Sequence, residues 1–331
     1  MARVVTFGEV MMRLAPKNNG RFVQAAEFGA LYAGSEANVA ASLSYMGISS
    51  CHVTCLPDND LGTAASMQLG HYGIDVNSIV FTEGRIGVYF IEHGASIRSP
   101  KIIYDRFDSA FANLDPSDFD WDKILDGAEW FHWSGITPAI SASAAAACKD
   151  AILTARKKGL RVSGDINYRR NLWQYGKTAL EIMPELIEPC DILIAGSTDL
   201  ENCLAIREST LEAGCEKLVK KYPNITHVAT TKRETITSSH QSVQGLLWSK
   251  HGMIETRRHD ITPIVDRIGA GDAFMAGLAY GFINKYEDDH TIEFATAACA
   301  IKHTIEGDVN VSTVAEIDGV VGGENVGKLL R

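Results

Sequence analysis

No run of about 18 consecutive apolar residues occurs anywhere in the chain, so nothing in it reads as a membrane-spanning helix. The first apolar stretch, Arg3–Phe7, is too short for a secretory leader, and Glu9 follows it at once. Basic residues are in deficit: 31 Lys and Arg stand against 41 Asp and Glu, a formal net charge of −10. That balance argues against nucleic acid or an acidic membrane surface as the main partner. It also requires that any anionic small ligand be met by locally placed Arg or Lys. The seven cysteines are scattered and odd in number, which fits reduced thiols in the cytoplasm rather than a disulfide framework. Cys51 and Cys55 are four apart but have no second pair to complete a zinc site, so core packing is expected of them and no protein-built metal site is. There is no internal repeat and no low-complexity segment.

What is present is 331 residues, 46% hydrophobic, enough for one large α/β domain or two small ones. From residue 115 the pattern alternates. Strands are expected at 129–134, 160–165, 191–195 and 226–231. Helices are expected at 116–125, 141–158, 177–188, near 198–206, 209–222, 270–286 and 290–305. Earlier come strands at 3–7 and 51–56, a helix over 60–72 capped by Asp58 or Asn59 and closed by Gly73, and a short strand at 75–80. Residues 235–258 read as antiparallel hairpins at a sheet edge, and 319–331 as a glycine-rich tail that frays. The alternation predicts one doubly wound, mostly parallel α/β sheet. Two stretches leave it: residues 11–32, with short β segments at 11–14 and 21–24, and residues 87–110. Both are β-rich, and together they predict a small β-sheet lid over a cleft.

The chain is organised around Asp266-Arg267-Ile268-Gly269-Ala270-Gly271-Asp272-Ala273-Phe274. Gly269 and Gly271 permit a sharp turn and close approach of a ligand to the backbone. The helix that follows offers unpaired N–H groups at the positive end of its dipole, an anion site. It is no Walker A loop, since no Gly-Lys-Ser/Thr follows, and no dinucleotide fingerprint, since it falls late and Phe274 replaces the third glycine. Asp272 inside the cradle is either a helix-start charge or a general base for a hydroxyl that attacks a phosphoryl group. Other candidates are weaker as strings. Gly34 and Asn38 open a helix near Ser35 and suit either a cap or a polyol. Tyr104 and Arg106 share a strand face, with Tyr89 on the same lid, and suit either an ordinary sheet surface or a carboxylate clamp. Asn167 and Arg169 follow a strand C-terminus, where open sheets bind ligands, or else serve with Asp165 to fix a loop.

In combination these residues resemble the ribokinase-like (phosphofructokinase-B type) carbohydrate kinases over nearly the whole chain. Asp266–Phe274 matches the carboxyl signature Asp-x-x-Gly-Ala-Gly-Asp-x-Phe, and Gly34 to Asn38 the amino signature. Within the family, Tyr104-x-Arg106 with Ser109-Ala110-Phe111, Asp165-x-Asn167-x-Arg169 with Leu172-Trp173, and Ile301-Lys302-His303 with Gly307-Asp308 resemble the members that act on keto-deoxy sugar acids. The resemblance implies a single domain over 1–331, with ATP as phosphoryl donor, Mg²⁺, and a sugar acid phosphorylated at its terminal hydroxyl. It leaves activation by a monovalent cation open. It implies Asp272 as base, with Gly269, Ala270 and Gly271 holding the phosphoryl group. Gly34, Asn38, Tyr89, Tyr104, Arg106, Asn167 and Arg169 would take the sugar acid. Asp199, Thr231, Lys232, Arg233, Gly269, Gly271 and His303 would lie at the nucleotide. A homodimer through the lid edges is expected. The sequence departs from the family at Glu36 and Arg267, at Gly196–Asp199 where relatives have Asn-x-x-Glu, and at Thr231–Arg233 where they have Thr-x-Gly. Alternatives are a fructokinase or ribokinase type of kinase, or a sugar-binding sensor without catalysis.

Overall fold

The structure is a computed structural model and describes residues 3–323. Its main sheet has nine strands. Ser49–Val53, Arg3–Phe7, Trp130–Ser134, Arg161–Asp165, Ile192–Ile194 and His227–Thr237 lie side by side and pair in parallel. His240–Ser249 then pairs antiparallel and carries Gly252–Glu255 and His259–Ile261 on its far edge. Side chains of a strand alternate between faces. Val5, Phe7, Phe131 and Trp133 accordingly join one buried cluster with the helix Ala142–Lys157, while Val4 and Trp130 join another with Ala270–Ile283 and Asp288–Lys302. Both faces are covered, which is the requirement of a parallel sheet.

The two excursions meet, as expected, in one four-stranded sheet: Phe28–Ala33, Met11–Pro16, Gly87–Glu92 and Lys101–Asp105. All seven cysteines are free and buried, in accord with a packing role. No helix among the described residues is long and apolar enough to cross a membrane.

Five local expectations change. Residues 21–24 form a 3₁₀ turn at Phe22–Gln24 rather than a strand. The expected helix 116–125 splits into Pro116–Asp118 and Trp121–Ile124, each capped by an aspartate, while Phe119 and Trp121 turn into the core. At 75–80 only a bridge at Asp75 and the strand Val80–Thr82 remain, because the Asp75 carboxylate accepts from the Asn77 N–H and closes a turn. The strand expected at 226–231 runs on to Thr237, held by its antiparallel partner. The tail from 319 first completes the helix Val314–Gly322, and its last part lies outside the described residues.

Candidate active site

A cavity of about 700 Å³ lies along the C-terminal ends of the parallel strands, between the sheet and the lid. Strand order places its residues in sequence along that edge. Glu9 follows the first strand, Asn167 and Arg169 follow Arg161–Asp165, Asp199 follows Ile192–Ile194, and Thr231 and Arg233 sit on His227–Thr237. Tyr89 and Tyr104 face the cavity from the lid, their rings 5.9 Å apart.

The glycine turn closes the cavity. Gly269 adopts φ +81° at the start of the helix Ala270–Ile283. A Cβ there would stand 1.7 Å from the Asp308 carbonyl oxygen, so only glycine fits. The Ala270 N–H makes a long 3.4 Å bond to the Arg267 carbonyl. Gly271 lies beside Arg233, whose Nη2 is 3.7 Å from where a Cβ would be.

Asp272 is half-buried in the cavity wall, and both of its oxygens are held. Ser35 Oγ donates to one at 2.8 Å and Asn38 Nδ2 to the other at 2.7 Å. Desolvation outweighs these bonds and pushes the Asp272 carboxyl up to about 6, with the Asp308 charge adding to the rise. This is a carboxylate tuned toward proton acceptance near neutrality. Asn38 therefore orients Asp272, and only its Oδ1, buried without a partner, is left for a ligand.

Arg106 and Tyr89 line the cavity but are less free than the sequence implies. Arg106 is buried and clasps Glu9, which also accepts from Ser109 Oγ at 2.6 Å. The Tyr89 hydroxyl donates to Asp308, which in turn pairs with the buried Arg13. Gly34 lines the cavity and lets the helix start approach the chain at Glu9, where a Cβ would meet the Glu9 carbonyl oxygen at 2.1 Å. Asn167 takes φ +38° in a turn whose N–H bonds Asp165. Arg169 is exposed to the cavity and makes no ion pair among the described residues.

Two nucleotide candidates fall elsewhere. Thr231 and Arg233 line the cavity, whereas Lys232, further along the strand than Thr230, does not. His303 is fully buried between the Cys299 carbonyl and Gln241, and burial pushes its imidazole down to about 4, so it is neutral and away from the cavity. Asp199 does line the cavity, with its carboxylate capping the helix Ser197–Leu204 through the Gly196 N–H and holding the Tyr168 N–H. Glu9, Ser35, Thr230, Arg267 and Asp308 also line the cavity, none of them expected there from the sequence. Each sits near a motif, but Glu9, Ser35 and Asp308 find their partners far away in the chain.

Residues 1–313 match the pfkB family of carbohydrate kinases. The chain belongs to that family. A crystal structure of 2-dehydro-3-deoxygluconokinase from Thermotoga maritima is 41% identical, with a TM-score of 0.93 over 97% of this chain and 98% of that one. The 2-dehydro-3-deoxygalactonokinase of Haloferax volcanii is 30% identical over 98% of both chains. A putative ribokinase II from E. coli, solved with ATP and Mg²⁺, is 19% identical with a TM-score of 0.82 over 98% of this chain and 100% of that one, a likeness of fold. The fold is thus that of a carbohydrate kinase family.

Proposed function

We propose that this pfkB-family member transfers the γ-phosphoryl group of ATP to the 6-hydroxyl of 2-keto-3-deoxygluconate or its galactonate epimer. The observation that carries the reading is Asp272, fixed by Ser35 and Asn38 at a helix N-terminus and facing a cavity that also presents the unpaired Arg169. The names of the two sugar-acid kinases it resembles support the substrate class.

Asp272 accepts the hydroxyl proton as the oxygen attacks. The Gly269 and Gly271 N–H groups, with Ala270, hold the phosphoryl oxygens while Arg233 offsets their charge. Burial and then the nearby Arg233 charge weaken the hold of Arg267 on its proton, and both guanidinium groups line the cavity, an arrangement that suits a polyphosphate. Tyr104 and Arg169 orient the sugar carboxylate, and the lid excludes water so that ATP is not hydrolysed.

Mg²⁺ fits this wall. Asp165 is raised to about 8 by burial, then by the charges of Asp199 and Asp272, with Arg169 opposing the rise, so three carboxylates feel one another across this wall. No trio of metal-ligating side chains stands together among the described residues. Asp165 and Asp199 would hold the ion through water, and bound Mg²⁺ supplies charge neutralisation on the phosphates.

The lid also supports the dimer. Register puts Ile103, Phe90 and Leu14 on its outer face, with the Phe28 ring 6.1 Å from Phe90. Ile103 is 55% exposed, an apolar face suited to a second copy. Buried free thiols and a need for ATP support a cytoplasmic location.

The clamp is tested at Arg169. Because it has no partner to strand, Arg169→Ala leaves thermal stability unchanged while raising KM for the sugar acid by about 10- to 100-fold, the worth of a charge-assisted hydrogen bond. KM for ATP stays within about twofold of wild type. Equal rises in both constants would remove Arg169 from the carboxylate. Arg106→Ala is a poorer probe, since it leaves buried Glu9 unpaired at a cost of about 3–5 kcal/mol.

A further inference from the structure

The back of the glycine turn carries a buried charge cluster that reaches the cavity wall only through Asp308. Arg13 from the lid pairs with Asp266 and Asp308. Lys302, the last residue of its helix, is fully buried behind them. Its Nζ donates to the Ile305 carbonyl at 3.0 Å and the Asp266 carbonyl at 3.4 Å. Asp266 begins the turn, and its carboxylate also accepts from the Ile268 and Gly307 N–H groups at 3.0 and 3.2 Å. Ile305 leads to Asp308, whose carbonyl defines the space at Gly269. One ammonium therefore ties together the two segments that set where the Gly269 and Gly271 N–H groups lie.

Two inward-turned backbone carbonyls in a dry interior need donors or a cation. An alkali ion the size of K⁺ would meet the same oxygens, and NH₄⁺ is nearly its equal in radius and charge. The donor set here does not fit such an ion, because the lysine Nζ already lies against both carbonyls. Charge agrees: Arg13 and Lys302 balance Asp266 and Asp308, whereas an added ion would leave the cluster positive. Burial lowers the affinity of Lys302 for its proton, and Asp266 and Asp308 oppose that loss.

We infer that Lys302 is a built-in monovalent cation, a positioning residue that holds the phosphoryl-binding turn, so that this protein needs no free alkali ion. The inference rests on the proposed kinase reading for its kinetic consequence but not for its thermal one.

The test compares KCl, NH₄Cl, LiCl and choline chloride at fixed ionic strength. Wild-type turnover and Tm are expected to be the same in all four. Lys302→Ala, which removes the ammonium and opens space, lowers kcat by about 10²-fold, as expected for a small misplacement of reacting groups. KCl or NH₄Cl raises its kcat and its Tm, and LiCl or choline does not. Lys302→Met fills the space without charge and gains nothing from any salt. Wild-type stimulation by KCl over choline would overturn the inference, and so would a Lys302→Ala protein with wild-type kcat or no response to KCl. Should Lys302→Ala fail to fold, the wild-type series decides alone. A wild type silent toward every sugar acid would sink the kinase reading, while the Tm series would still judge Lys302.

Discussion

Asp272→Asn lowers kcat by about 10²- to 10⁴-fold, the range expected for loss of a general base. The amide keeps nearly the same size and can still be held by Ser35 and Asn38, so sugar binding persists and the defect lies in the chemical step. Isothermal titration of the variant with the sugar acid, beside steady-state kinetics, separates the two. Turnover within tenfold of wild type would remove Asp272 from the proton transfer. A pH profile adds an independent check. The carboxylate is the active form and desolvation raises it to about 6. kcat/KM therefore falls as pH drops through about 6, and it does not fall there on account of Asp272 as pH rises. An unperturbed aspartate would hold activity down to about pH 4.

Gly269→Ala is the second large effect. The added methyl meets the Asp308 carbonyl at 1.7 Å, and φ +81° is hostile to a side chain. Both strains act at the point where the chain enters the helix, so the turn moves rather than the methyl. The expected result is a lower Tm and a kcat loss of about 10²- to 10³-fold, comparable to removing an oxyanion donor. Gly271→Ala is the control. Its Cβ would meet Arg233 Nη2 at 3.7 Å, an ordinary contact, and its φ is not positive. It keeps wild-type Tm while crowding the phosphoryl site. Equal Tm values for both variants would show that the turn is not fixed from behind by Asp308.

The chain's alternation of apolar strands and helices was enough to anticipate the parallel sheet, because burial on both faces leaves continuous apolar runs. The lid was visible as two stretches that broke the rhythm. The glycine turn and Asp272 were visible because turn, helix start and carboxylate are adjacent in sequence. The partners were not. Glu9 neutralises Arg106 from 97 residues away, and Ser35 lies 237 residues from the Asp272 it orients. Such pairs are set by tertiary packing and leave no local periodicity. Lys232 and His303 do not line the cavity. Lys232 lies beyond the cavity wall although Thr230, in the same strand phase, lines it, and His303, at the end of its helix, lies in the core. Lys302 stood in view as a basic residue near a helix end, where a solvated charge on the dipole is the ordinary expectation. Only the fold shows that it points inward onto two carbonyls.

The most direct measurement is Mg²⁺-dependent ADP release with 2-keto-3-deoxygluconate and its galactonate epimer, run beside fructose, ribose and gluconate. Turnover confined to the keto-deoxy acids, with phosphate found on the 6-hydroxyl, is the predicted result. Turnover of fructose or ribose in preference to both acids would contradict it, leaving Asp272 as base but removing Tyr104 and Arg169 from carboxylate recognition.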